Sequence, residues 1–347
     1  MEDDAVIRTA NLTKRYGRFT ALDHVNLTVP RGTTYGFLGP NGAGKTTTIR
    51  LLMGFIRPTA GAAFIFGHDT WRDGVAARRD VGYLVPADSL YPEMSGEAQL
   101  EFAARLTGRE PVLRRWLLDA LDLSDETLKR RLGSYSRGMR QKLALVAALQ
   151  HDPSLLILDE PTESLDPLVQ HAFEEIITTL RQRGRTIFMS SHNLDEVERT
   201  CELVAVVRDG RLVVEATVEE LQRLHRRRAE VVFRDRVPEG IDRVPGVRVT
   251  AHEGTHLTLV VERDVNPLLQ FLAAHPVEEL ILRPPDLDDI FLGFYAHDLP
   301  SRNGPDGGIT PTMPLTPAGL ASATNGAGQG GEPPSHLAPG SRRGTER

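Results

Sequence analysis

The stretch TTYGFLGPNGAGKTTTIRLL, residues 33 to 52, constrains the fold more than any other part of this chain. TTYGFLG reads as a buried strand, and KTTTIRLL as the start of a helix. Between them, Gly39, Gly44, Lys45 and Thr46 match the pattern G-x-x-x-x-G-K-[ST]. Glycines leave room for backbone N–H groups to converge on phosphate oxygens. The helix N-terminus adds a partial positive charge. Lys45 supplies a point charge for β- and γ-phosphates, and Thr46 a hydroxyl for Mg2+. A strand, a glycine loop and a helix in this order predict an α/β fold that binds a nucleoside triphosphate.

The surrounding pattern agrees. Strand-like runs occur at VIRTANLT, VNLTV, AAFIFG, VGYLV, LLILD, TIFMSS, LVAVVRDG and RLVVEA, and LVQHAFEEIITTLRQ and LDEVERTC read as helices. Alternation of this kind predicts a mostly parallel sheet with helices on its faces. From about 96 to 142 the pattern is chiefly helical, which predicts a helical subdomain inserted between strands. The helical run VEELQRLHRRR closes a first domain at about residue 225. A small α+β domain is expected over 229–297, with strands AEVVF, VRVTA, THLTLVVE and ELILR. Its helices are NPLLQFLAAH and DLDDIFLGFY, the second capped by Asp286. From 300 to 347 glycine, proline, serine and threonine dominate without period, which predicts a disordered tail.

Composition removes several classes. Formal net charge is -6, so the chain is not a general nucleic-acid binder. Cys201 is the single cysteine, so no intrachain disulfide forms. No apolar run approaches the roughly 20 residues of a membrane helix. Any tie to a membrane is therefore expected to come through a partner.

LLILDEPTESLD supplies a second half to the phosphate site. Its apolar strand ends in Asp159, placed to hold the metal, and Glu160, placed to polarise an attacking water. His192 follows the apolar run TIFMSS, at the strand edge where α/β sheets bind ligands. A dozen residues before LLILD lies GSYSRGMRQKLAL, a serine-glycine turn running into a basic helix.

Together, GPNGAGKTT, YSRGMRQK, LLILDEPTESLDP and SSHNLDEVE resemble, in order and spacing, the ATP-binding subunit of an ABC transporter. The resemblance covers residues 5 to about 225, and extends more weakly to 296. It implies a P-loop ABC cassette that binds ATP and Mg2+ and hydrolyses ATP. It assigns nucleotide contacts to Gly39, Pro40, Asn41, Gly42, Ala43, Gly44, Lys45, Thr46 and Thr47. Thr46 and Asp159 are the implied metal ligands, and Lys45, Glu160 and His192 the catalytic set. Tyr16 matches the aromatic that stacks on adenine, and Asp166 the loop aspartate that couples two nucleotide sites. YSRGMRQK stands at the family signature, so Ser136 and Gly138 are implied to touch ATP held by a second copy or a related subunit. Arg137 replaces the first signature glycine and Met139 the glutamine, while Arg140 and Lys142 are expected on the outer, solvated face of the helix. Pro86 stands where the family normally has a glutamine, and no glutamine follows until Gln99.

The 229–297 domain resembles the accessory domain of ATPases that serve separately encoded permeases of drug, antibiotic or lipid exporters. That implies a peripheral protein on the cytoplasmic face of the membrane, held by a multi-span permease, with no nucleic acid partner. A soluble ABC protein of translation or DNA repair is the first alternative. Such proteins carry two cassettes or long coiled coil, and this chain shows one cassette and no heptads. A non-hydrolysing regulator is the second, and the presence of Glu160 and His192 argues against it.

Overall fold

The computed structural model describes residues 4–223, 226–262 and 264–283. The expected helix DLDDIFLGFY, with Asp286, and the expected tail from 300 lie outside these residues.

An antiparallel sheet, absent from the sequence-based expectation, opens the chain. It contains β1 (Ala5–Tyr16), β2 (Phe19–Val25) and β3 (Thr28–Pro30). The chain then runs through β4 (Thr34–Leu38) and α1 (Lys45–Leu52) before returning to this sheet as β5 (Ala60–Ile65) and β6 (His68–Asp69). The expected single strand VNLTV is broken. The later half of the long β1 pairs β2 (Leu12 with Val25), and its earlier half pairs β3 (Arg8 with Thr28). Asn26 sits at that step, and its Oδ1 accepts the Asn11 N–H at 2.7 Å. The long partner strand sets the break, which the hydrophobic pattern of VNLTV does not reveal.

The second sheet carries the phosphate loop. After α2 (Gly74–Arg78) and β7 (Val81–Tyr83), four helices follow: α3 (Gly96–Thr107), α4 (Arg114–Ala120), α5 (Asp125–Lys129) and α6 (Arg137–Leu149). The helical stretch therefore runs seven residues past the expected limit of 142. Then come β8 (Leu155–Asp159), α7 (Pro167–Gln182), β9 (Thr186–Ser191), α8 (Leu194–Thr200), β10 (Leu203–Arg208), β11 (Arg211–Thr217) and α9 (Val218–Arg223). The strand order is β11-β10-β4-β9-β8-β7, parallel except for the β10–β11 hairpin.

Why these runs are apolar throughout is now visible. Leu156 and Leu158 of β8 enter one core, and Leu155 and Ile157 the other. Ile187 and Met189 of β9 likewise oppose Phe188. A parallel sheet covered on both faces needs no polar side. On α7, Val169, Phe173, Ile176, Ile177 and Leu180 are buried, the spacing of one helix face. Pro167 starts that helix, and Asp166 caps it by accepting the N–H groups of Leu168 and Val169, each at 3.1 Å.

A four-stranded antiparallel sheet follows, with order β13-β14-β12-β15. Its strands are β12 (Arg226–Phe233), β13 (Val247–Glu253), β14 (His256–Glu262) and β15 (Val277–Arg283), and α10 (Asn266–Ala273) packs its Leu268 and Leu272 into the same core. The run VEELQRLHRRR is not one helix. It stops at Arg223, and Arg226, Arg227 and Arg228 already belong to β12, three residues ahead of the expected boundary at 229. β12 is central and bonded on both sides, which outweighs the helix propensity of arginine. Among the described residues no helix is long and apolar enough to cross a membrane.

Candidate functional site

The C-terminal ends of β4, β9 and β8, neighbours in the sheet, converge on one place. Ligands bind open α/β sheets at this edge. Lys45 reaches it from the first turn of α1, Glu160 follows β8, and His192 follows β9.

These three side chains form a connected chain. Lys45 Nζ lies 3.2 Å from Glu160 Oε1, and His192 Nδ1 lies 2.8 Å from Glu160 Oε2. Lys45 is 6% exposed, yet its ammonium is fully engaged. It donates to the carbonyls of Gly39 (2.6 Å) and Pro40 (3.2 Å) as well as facing Glu160. Three donors meet three oxygens, so the buried cation is stable where it stands. A phosphate would compete for these donors with a denser negative charge.

The loop glycines have specific causes. Gly44 takes φ 108, and a Cβ there would lie 2.7 Å from Leu22 Cδ2 and 2.8 Å from Ala21 O. A Cβ at Gly39 would lie 2.3 Å from Val207 O. Gly42 takes φ 84 with open space around it. Thus two of the glycines are demanded by neighbouring backbone, and the third by the turn itself. Pro40, Asn41 and Thr46 are exposed, Thr47 is half-buried, and Ala43 is buried. The loop therefore offers its outer edge to solvent while its inner edge is locked.

Asp159 and Thr46 line one cleft of about 200 Å³, with Glu160, Pro86, Arg137 and Gln141. Ser190, not anticipated from the sequence, organises the acidic end. Its hydroxyl donates to Asp159 Oδ1 at 2.5 Å and accepts the Glu160 N–H at 3.0 Å. One side chain thereby fixes both carboxylate residues. The doubled serine ending TIFMSS is the only signal the sequence offers for it. Ser191, the other of the pair, donates to Glu196 Oε2 at 2.5 Å, and Thr162 donates to Glu196 Oε1 at 2.7 Å. Burial raises the Glu196 pKa, opposed by those hydroxyl bonds. Burial first, and then the Asp159 charge, raises that of Tyr83.

Among the described residues no cluster of three or more His, Cys, Asp and Glu side chains could hold a metal. Thr46 and Asp159 nevertheless suit Mg2+, which keeps several waters and takes few protein ligands beside phosphate oxygens.

The other expected site residues stand elsewhere. Tyr16 ends β1 at the hairpin to β2, 47% exposed, with Lys14 Nζ 4.9 Å from its ring centroid. It is not one of the cleft-lining residues. Ser136 caps α6 by accepting the Met139 N–H at 3.2 Å. Gly138 lies against the loop after β8, where an added Cβ would meet Ser164 O at 2.9 Å. Ser164, at φ 69, adopts the left-handed conformation that glycine prefers. Arg140 differs from the expectation of a solvated outer face. It is half-buried, donates to Tyr135 O at 3.3 Å and lies 3.7 Å from Asp88. Tyr91 N–H donates to the buried Gln99 at 3.3 Å, which keeps Gln99 out of the cleft that Pro86 borders.

Comparison with known proteins places this geometry. The ABC transporter family profile matches residues 22–163. The chain is 38% identical over 233 residues to the bacitracin transport ATP-binding protein BcrA of Bacillus licheniformis, covering 66% of this chain and 76% of that protein. It is 34% identical over 308 residues to the daunorubicin resistance ATP-binding protein DrrA3 of Streptomyces coeruleorubidus, covering 85% of this chain and 97% of that protein. Among solved structures, an ATP-binding subunit of an ABC transporter superposes with TM-score 0.58 at 31% identity, over 63% of this chain and 92% of its own. The post-hydrolysis dimer of the cassette MJ0796 with ADP and Pi shares the fold, with TM-score 0.54 at 22% identity over 61% of this chain and 98% of its own. With the glycine loop, the paired carboxylates and the histidine gathered at one sheet edge, the chain belongs to the ABC transporter family and is one of its ATP-hydrolysing cassettes.

Proposed function

We propose that this cassette drives export through a separately encoded multi-span permease, and that two copies close over two ATP molecules. The single observation carrying the catalytic part is the Lys45–Glu160–His192 chain. Substrate phosphates draw Lys45 away from Gly39 O, Pro40 O and Glu160, which frees one carboxylate oxygen. Glu160 then accepts the proton of an attacking water. His192 holds the other oxygen and so fixes the carboxylate plane, with Nδ1–H as the donor. Ser190 keeps Asp159 and Glu160 in register during this exchange. Mg2+, held by Thr46 and Asp159, would offset the phosphate charge. Tyr16 offers a ring for adenine. Ser136 and Gly138 act toward the second copy, with Asp166 linking the two sites through the start of α7.

Export is favoured over import because the alignment with the daunorubicin resistance protein spans 308 residues, well past the cassette into the four-stranded sheet. The permease would hold the protein at the cytoplasmic face of the membrane. The test is ATPase activity of the full chain in membranes with and without a co-expressed multi-span permease of the exporter type. Stimulation of several-fold by those membranes alone is expected. Equal rates with empty membranes would remove the permease from the account.

A further inference from the structure

Glu160 stands in an unfavourable backbone state. Its φ is 47, and Pro161 follows it. Non-glycine residues rarely take positive φ, and a residue before proline prefers extended backbone. Ser164, four residues on, is also left-handed at φ 69. Local bonds close the turn between them, from Glu163 N–H to Glu160 O at 3.2 Å and from Leu165 N–H to Thr162 O at 3.1 Å. Such a conformation persists only where its surroundings hold it.

The first two turns of α6 supply that hold. Gln141 is buried, and its Nε2–H donates to Pro161 O at 2.8 Å. Arg137 pairs with Glu163 at 2.8 Å. Gly138 lets the helix backbone approach Ser164 O more closely than any side chain would allow. Pro161 and Glu163 of the turn are thus bonded to positions 5 and 1 of one helix, and Ser164 packs against position 2. On its far side Thr162 is tied to Glu196 of α8.

We infer that Gln141, assisted by the Arg137–Glu163 pair, is a positioning residue for Glu160, holding the Glu160–Ser164 turn in its left-handed form so that the carboxylate faces the cleft. This rests on the reading of Glu160 as the base that activates water. Gln141 borders the cleft, but its Nε2–H is spent on the carbonyl of Pro161, next to Glu160, so the loss of that bond acts on the turn that carries the carboxylate.

The test is steady-state hydrolysis and fluorescent-nucleotide binding by the full chain. Gln141→Leu keeps the volume and deletes the donor. It should lower kcat by between about ten- and a hundredfold, the cost of a small misplacement of a reacting group. KM and nucleotide affinity should stay at parental values. Placed in a Glu160→Gln background, Gln141→Leu should cause no further loss, because its effect passes through the base. Parental kcat in Gln141→Leu, or the same fold-loss in both backgrounds, would overturn the assignment. Should Gln141→Leu lower the thermal midpoint sharply, the exposed pair decides. Arg137→Glu should lower kcat, and Arg137→Glu with Glu163→Arg should restore it; equal rates in all three chains would overturn the clamp. Parental turnover in Glu160→Gln itself strikes the reading of the base instead, and the two failures are thereby separable.

Discussion

Glu160→Gln is expected to bind ATP like the parent and to hydrolyse it between about a hundred and ten thousand times more slowly, the range a general base contributes. The substitution changes little in shape. The side-chain carbonyl still accepts from Lys45 or from His192, and the backbone N–H still reaches Ser190. What disappears is the ability to take a proton from water. Binding and chemistry therefore part company, which a merely damaged fold would not produce. Phosphate release measured beside equilibrium binding of a fluorescent nucleotide separates the two. Turnover close to the parental rate would remove Glu160 as the base.

Lys45→Ala should fail one step earlier. The ammonium is buried and makes three contacts to oxygen, all of which a phosphate can replace. Charge-assisted bonds of this kind contribute about 1.5 to 3 kcal/mol each. Nucleotide affinity should therefore fall by about a hundredfold or more, and hydrolysis with it. Lys45→Arg should not rescue the loss, since the planar fork of a guanidinium cannot reproduce a compact point charge in a closed loop. Parental affinity in Lys45→Ala, by the same fluorescent-nucleotide measurement, would place the phosphates elsewhere.

Much of this site was legible because the sheet writes itself into the sequence. Strands covered on both faces are apolar along their middle, so LLILD and TIFMSS announce β8 and β9, and the polar residues that end them mark the sheet edge. The glycine loop was legible as a motif, but the reasons for its glycines were not. Gly39 is set by Val207 O and Gly44 by Ala21 O, contacts made by remote strands. Ser190 escaped for a similar reason. A serine at the end of a strand has many uses, and only the adjacency of β8 and β9 brings its hydroxyl to Asp159. The broken VNLTV segment and the early start of β12 show a third limit. In both, pairing with a distant strand decided the backbone against the local pattern. The left-handed state of Glu160 is the clearest instance, since Glu-Pro in isolation favours extended chain.

In the proposed dimer two copies share each nucleotide, with Lys45 from one and Ser136 from the other. Complementation between two differently damaged chains tests this sharing. Glu160→Gln is placed in every chain so that bound ATP persists. One chain then carries Lys45→Ala and the other Ser136→Arg. In each homodimer both composite sites are damaged. In the mixed dimer both lesions fall in one site, and the second site keeps an intact Lys45 and Ser136. A dimer of one Ser136→Arg chain with one chain carrying Glu160→Gln alone, isolated through different tags on the two chains, again leaves one site whole and sets the signal expected of a single intact site. Size-exclusion chromatography with labelled ATP reads occlusion and association together. The mixed dimer, isolated in the same way, should retain ATP well above either homodimer, at the level of that control. No gain on mixing, where the control retains ATP, would contradict the sharing and leave Ser136 as the cap of α6 within its own chain.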